Sequence, residues 1–172
     1  MIGNPLDSGT FAEAVRHCDT FVQLVGVPKP APWKGHGFRT VDRVSALASI
    51  GAARQVGMTH FIYVSVAHPA PVMKDYIAVR TECETALRTS GLRTTILRPW
   101  YILGPGHWWP LLLKPAYWLC ERIPPTREAA VRLGLVTLQD MLASLVWAME
   151  YPPESVRVVD VRGIRTIGHE SR

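Results

Sequence analysis

Short runs of Val, Ile, Phe and Leu alternate along this chain with longer stretches in which apolar residues recur every three or four positions. The first pattern is that of buried strands and the second that of amphipathic helices. Thr10 to Cys18 has the spacing of a short helix entered through Ser8 or Thr10. Thr20 to Val25 reads as a strand, stopped by Gly26 and the Pro28-Lys29-Pro30 loop. From about Gly37 to Val56, the residues Val41, Val44, Leu47, Ala48 and Val56 mark an apolar helix face, with Gly57 as its C-terminal stop. His60 to Ser65 is a second strand, Asp75 to Ser90 a second helix ended by Gly91, and Arg93 to Arg98 a third strand ended by Pro99. A strand at Val131 to Val136, a helix from Thr137 to Tyr151 capped by Thr137, and a strand at Val156 to Val161 complete the pattern.

Strand and helix in alternation predict an α/β domain, a doubly wound parallel sheet with right-handed crossovers. Ligands bind such sheets in the crevice at the carboxyl ends of the strands, here Gly26, Ser65 and Pro99. The expected organisation is one domain over residues 1–163, with a Pro- and Trp-rich excursion at 104–130 as a lid on the substrate side and residues 164–172 as a polar tail.

Composition narrows the function. With 48% hydrophobic and 19% charged residues, the 172-residue chain can bury a sizeable core and is not a disordered segment. The formal charge is +5, but Lys and Arg are scattered rather than gathered into a stripe, which argues against nucleic acid and suits a phosphate-bearing cofactor equally well. Cys18, Cys83 and Cys120 are odd in number and without CxxC spacing, so neither a disulfide framework nor a thiolate metal site is indicated, and a reducing, cytoplasmic setting is expected. The histidines show no HxH or HExxH spacing for a metal. The first residues lack the pattern of a signal peptide. The apolar run from Trp108 to Cys120 is interrupted by Lys114 and two prolines and falls short of the roughly 20 residues of a membrane-spanning helix.

The candidate chemistry lies at the second strand and second helix. Ser65 ends the strand, and Tyr76 opens the helix with Arg80 four residues later, on the same helix face. A cation beside a phenol favours phenolate, so Arg80 is expected to lower the pKa of Tyr76 toward the range of a general acid/base. Ser65 could then hydrogen-bond the carbonyl oxygen of a small-molecule substrate. On residues alone, a Tyr-x-x-x-Arg pair also occurs as a solvated helix face and a strand-end Ser as a turn residue. Trp100, Tyr101, Trp108 and Trp109 could close an apolar substrate pocket, or simply pack the lid onto the core; His107 lies in the same segment.

The segments Gly3-Asn4-Pro5-Leu6-Asp7, Cys18 to Gly26, Phe61-Ile62-Tyr63-Val64-Ser65, Tyr76-x-x-x-Arg80-x-x-x-Glu84 and Leu97 to Gly104, in this order and spacing, resemble an atypical or extended short-chain dehydrogenase/reductase. The resemblance is to the NAD(P)H-binding, NmrA-like and epimerase/dehydratase-like kind and covers Gly3 to about Val161. It implies NAD or NADP as cofactor, with Asn4 near the adenine, Gly26 and Val27 along the adenosine ribose, and Pro99, Trp100 and Ile102 beside the nicotinamide. It implies a catalytic set of Ser65, Tyr76 and Arg80, the last in place of the usual lysine, and substrate contacts from Tyr101, Trp108 and Trp109.

The same resemblance implies a partial Rossmann-like sheet missing its first βαβ unit, since the family's opening strand and glycine-rich turn have no counterpart in this sequence. That turn normally holds the pyrophosphate. A start site placed too far downstream is the favoured explanation, against a genuine shortened product or a fragment. Weak cofactor affinity and self-association through the exposed sheet edge are the expected consequences. The activity implied is that of an NAD(P)-dependent oxidoreductase on a small, apolar carbonyl or alcohol. The alternatives are a non-catalytic NAD(P)-responsive binding or assembly protein, and an inactive product.

Overall fold

A computed structural model describes residues 3–104 and 132–171. The described helices and strands run in the order β1 (Thr20–Gln23), α1 (Gly35–Gly37), a π-helical turn (Phe38–Arg43), α2 (Val44–Gln55), β2 (His60–Val64), α3 (Lys74–Arg88), β3 (Arg93–Leu97), β4 (Tyr101–Leu103), β5 (Leu135–Thr137), α4 (Leu138–Glu150), β6 (Val156–Val159) and α5 (Val161–Glu170). Four strands form a parallel sheet in the order β1-β2-β3-β6, and β4 pairs with β5 in a separate parallel ladder. The α/β class and parallel sheet are those expected from the alternation of strand and helix.

The chain divides into two compact units. The first comprises residues 1–65, 69–96 and 152–157, and its core gathers Phe38, Ala46, Ile50, Phe61, Tyr63, Val79 and Leu87. Strand β1 lies in register with β2, Phe21 opposite Phe61, and the two rings stack at 5.3 Å. Aromatic cross-strand pairs of this kind strengthen a ladder beyond their buried area.

Helix α2 buries a face that its apolar residues did not mark. Ser45, Ala46, Ser49, Ile50, Ala52 and Ala53 are inside, whereas Val44, Leu47 and Ala48 are half-buried. Two serines are tolerated because β1 supplies their partner: Gln23 donates through Nε2 to Ser45 Oγ at 3.1 Å and accepts from Ser49 Oγ at 3.1 Å. Buried hydroxyls and amides left unpaired would each cost roughly 1–3 kcal/mol. Gly57 at φ 71° and Gly91 at φ 80° end the helices as expected, in the left-handed region that glycine enters freely.

Three expectations are corrected. Residues 10–18 do not form one helix; two 3₁₀ turns, Ser8–Thr10 and Glu13–Val15, take its place, the first capped by Asp7. The strand expected at 131–136 is Leu135–Thr137 among the described residues, and its partner is Tyr101–Leu103, a strand not anticipated. The polar tail is instead helix α5, whose N-cap Asp160 accepts from the Gly163 amide at 2.9 Å and which buries Val161, Ile164 and Ile167.

The second unit comprises residues 66–68, 97–151 and 158–172. Its helix α4 begins with a capping box: Thr137 Oγ1 accepts from the Asp140 amide at 3.1 Å, and Asp140 accepts from the Thr137 amide at 3.0 Å. The inner face of α4, Met141, Ser144 and Ala148, is buried, and the helix packs on α5. Its outer face leaves Leu138, Leu142, Val146 and Met149 exposed.

His60 is buried on β2, its ring nitrogens 3.2 Å from Thr20 Oγ1 and Thr95 Oγ1. Burial, helped by the charges of Arg93 and Arg157, lowers its pKa to about 4. An unfolded chain takes up that proton near pH 6.5, so the stability held by neutral His60 is complete above about pH 6.5 and is lost as pH falls toward 4, about 3 kcal/mol in all. In urea unfolding at pH 7 and pH 4, His60→Gln is expected to remove about that much of the acid-side loss.

Candidate active site

The first unit gathers polar and aromatic side chains from three segments around Arg80. Helix α3 carries Tyr76, Arg80, Cys83 and Glu84; the end of β2 brings Tyr63 and Ser65; and the π-helical turn brings Phe38 and Asp42, four residues apart and both fully buried. Met73, at φ 61°, turns the chain into α3 and starts it in the right direction.

Arg80 is 7% exposed and is held on several sides. Its Nη2 pairs with Asp42 Oδ1 at 2.7 Å, and its Nη1 donates to the Val64 carbonyl at 2.9 Å and to Tyr63 Oη at 3.2 Å. The guanidinium lies over the Tyr76 ring at 4.9 Å and the Tyr63 ring at 5.5 Å. Asp42 uses its second oxygen to accept from the Val27 amide at 3.0 Å. Burial works against the charge on Arg80, but Tyr63, Tyr76 and Asp42 outweigh it and raise its pKa, so the group stays a cation. Its Nε–H is buried and has no hydrogen-bond partner among the described residues.

Tyr76 and Arg80 are partners, as their spacing predicts, but the effect on the phenol is reversed. Burial raises the Tyr76 pKa, and the attraction of Arg80 offsets this only in part. The cation sits over the ring face and is already balanced by Asp42, while Phe38 packs its ring on Tyr76 at 4.9 Å and keeps water from a phenolate. Tyr63 is pushed above its ordinary value by the same burial.

Ser65 is 3% exposed and donates from Oγ to Glu84 Oε1 at 2.7 Å. Its proton therefore points at Glu84 rather than at a substrate in this arrangement. Glu84 is also 3.5 Å from Arg88 on the helix surface. Glu84 and Asp42 are the residues that sequence reasoning passed over. Glu84 stands in the quoted motif eight residues after Tyr76, and Asp42 falls in phase with Phe38 and Ala46 on the buried helix face. An acid at a core-facing position is a signal, because it requires a buried cation opposite.

The other expected residues are dispersed. The Asn4 side-chain oxygen accepts from the Leu6 amide at 3.0 Å in a local turn, and the Asn4 backbone N–H donates to Thr10 Oγ1 at 2.9 Å. Gly26 lies against the ion pair: a Cβ there would stand 2.8 Å from Arg80 Nη2 and 2.9 Å from Asp42 Oδ1. The amide of Val27 is taken by Asp42. Pro99, Trp100, Tyr101 and Ile102 belong to the second unit, where Trp100 and Tyr101 meet edge to face at 5.6 Å and the Pro99 carbonyl accepts from the Ala67 amide at 2.9 Å. Trp108, Trp109 and His107 lie outside the described residues.

No family model matches the chain. It is 28% identical over 153 residues to the ceramide reductase of Caulobacter vibrioides, which covers 88% of this chain and 46% of that protein. The chain thus spans about half the length of the curated relative it matches. Among solved structures, UDP-N-acetylglucosamine 4-epimerase from Bacillus cereus superimposes with a TM-score of 0.66 at 12% identity, over 93% of this chain and 64% of that one. The RMD protein from Pseudomonas aeruginosa, complexed with NADPH, gives 0.63 at 15% identity, over 93% and 67%. At these identities the likeness is one of fold.

Two substitutions test the buried cluster. Asp42→Ala leaves Arg80 uncompensated and is expected to cost about 3–5 kcal/mol. Gly26→Ala forces its methyl into the ion pair and is expected to cost about 1–3 kcal/mol. Urea unfolding of both variants at pH 7 measures these losses.

Proposed function

From a fold shared with the extended short-chain dehydrogenase/reductases, we infer that this chain acts as an NAD(P)H-dependent oxidoreductase that reduces an apolar carbonyl compound to its alcohol. The observation that carries the reading is the seating of Tyr76 on the Arg80 guanidinium, 4.9 Å from its ring, in a cluster otherwise closed by internal bonds. The similarity to a protein named ceramide reductase favours a substrate of lipid-like character.

Nicotinamide, when bound, supplies the hydride. Tyr76, kept protonated by burial, gives its Oη proton to the carbonyl oxygen as negative charge develops there. A phenol above its ordinary pKa suits that donation better than proton abstraction from an alcohol, which favours the reductive direction. Arg80 holds Tyr76 in place through the guanidinium seated on its ring. Ser65 would polarise the carbonyl only after turning its proton from Glu84.

One observation favours the non-catalytic reading: the hydroxyl of Ser65 and the Nη groups of Arg80 are already committed to Glu84, Asp42, Tyr63 and Val64. The two readings separate with Tyr76→Phe, assayed by NADPH oxidation with 2-decanone and by calorimetric NADPH binding. Carbonyl reduction predicts a fall in kcat of about 100- to 10,000-fold with cofactor binding retained. NADPH binding without turnover in either protein would leave the binding reading.

A further inference from the structure

We propose that Trp33 is a substrate-contacting residue that holds the apolar chain of the substrate beside Tyr76, an inference that rests on the carbonyl-reduction reading. Trp33 is 83% exposed, although a buried indole is among the largest single sources of hydrophobic stabilisation. A single exposed apolar residue is ordinary on a protein surface. The segment carrying Trp33 is not ordinary, because it is pinned on both sides of the indole.

Ahead of Trp33, Lys34 Nζ donates to the Pro28 carbonyl at 2.8 Å and to the Lys29 carbonyl at 3.0 Å, closing the loop on itself. Lys29 is held at φ 50°, a left-handed conformation uncommon for a side-chain-bearing residue. Pro32 opens the short 3₁₀ turn, Pro32–Lys34, that carries the indole. After it, Gly35 lies so close to Asp75, the residue before Tyr76, that a Cβ would stand 2.7 Å from Oδ2. Gly37 abuts Val27, and Phe38 then packs on the Tyr76 ring at 4.9 Å. The backbone at Trp33 is thereby held at the tip of a segment whose next residues form one wall of the Tyr76 site. Val72, on the chain entering α3, is a second exposed apolar side chain at the same end of the helix.

The chemistry of the tip selects the ligand. Pro28, Pro30, Ala31 and Pro32 offer no side-chain donor or acceptor, and the Lys34 ammonium is engaged by the two carbonyls. A sugar placed here would meet one exposed polar side chain, Lys29, whereas an alkyl chain gains from covering the indole. A backbone already tied down also lowers the ordering cost of binding.

Calorimetric titration of wild type, Trp33→Ala and Trp33→Phe with 1-decanol, 1-butanol and UDP-glucose tests the assignment. Trp33→Ala is expected to weaken 1-decanol by about tenfold, equivalent to about 1.4 kcal/mol, with little change for 1-butanol, partial rescue in Trp33→Phe and no shift in Tm. In the 2-decanone assay its KM should rise far more than in the 2-butanone assay. Unchanged 1-decanol affinity in Trp33→Ala, or a loss confined to UDP-glucose, overturns the assignment. Trp33-dependent decanol binding in a wild-type protein that reduces no ketone upholds the chain contact and removes the reductase reading.

Discussion

The ion pair between Arg80 and Asp42 is the constraint on which the first unit's functional face depends. Two charges withdrawn from water cost several kcal/mol each, and their attraction repays this only when their remaining hydrogen-bonding groups are also engaged. Here the Val64 carbonyl and Tyr63 hydroxyl accept from Arg80, and the Val27 amide donates to Asp42. The pair thus ties helix α3 to the end of β2, to the π-helical turn and to the loop after β1. The seating of the guanidinium on Tyr76 and the absence of a side chain at residue 26 both follow from that one contact.

A phenol in this setting has a definite chemical bias. Sequence spacing places a cation near a tyrosine and invites the expectation of a more acidic hydroxyl, as it would be on an exposed helix. Inside the protein the cation is shared with Asp42 and lies over the ring, so desolvation dominates and the proton is retained. Proton donation to a nascent alkoxide tolerates this better than does proton abstraction. Ser65 meets a similar fate, its hydroxyl directed to Glu84, so that the strand end contributes anchoring to α3 in this arrangement.

What the sequence allowed to be read followed physical simplicity. Strands β1, β2 and β3 and helix α3 were legible because short β-branched and aromatic runs are bounded by Gly or Pro, and the glycines after α2 and α3 adopt the positive φ expected of them. The buried face of α2 was not, since its inward serines and Asp42 look like solvent-facing residues until Gln23 and Arg80 are brought opposite by the fold. Helix α5 was hidden likewise: Val161, Ile164 and Ile167 are spaced among arginines and glycines and read as polar until α4 covers them. Within the site, the Tyr76–Arg80 partnership was visible at four-residue spacing. The partners at Asp42 and Glu84, which decide what the pair can do, were legible only once long-range packing was known.

The close fit at residue 26 has a consequence for descent. Positions 26, 42 and 80 are far apart along the chain, yet each admits change only if the others permit it: a methyl at 26 displaces the charges, and neutralising 42 or 80 alone strands its partner. Single-step drift at any of them is therefore penalised, and replacement must proceed by coordinated double or triple exchange. A lineage could shed the glycine or the arginine only by crossing a less stable intermediate, so these three sites should persist together or vanish together.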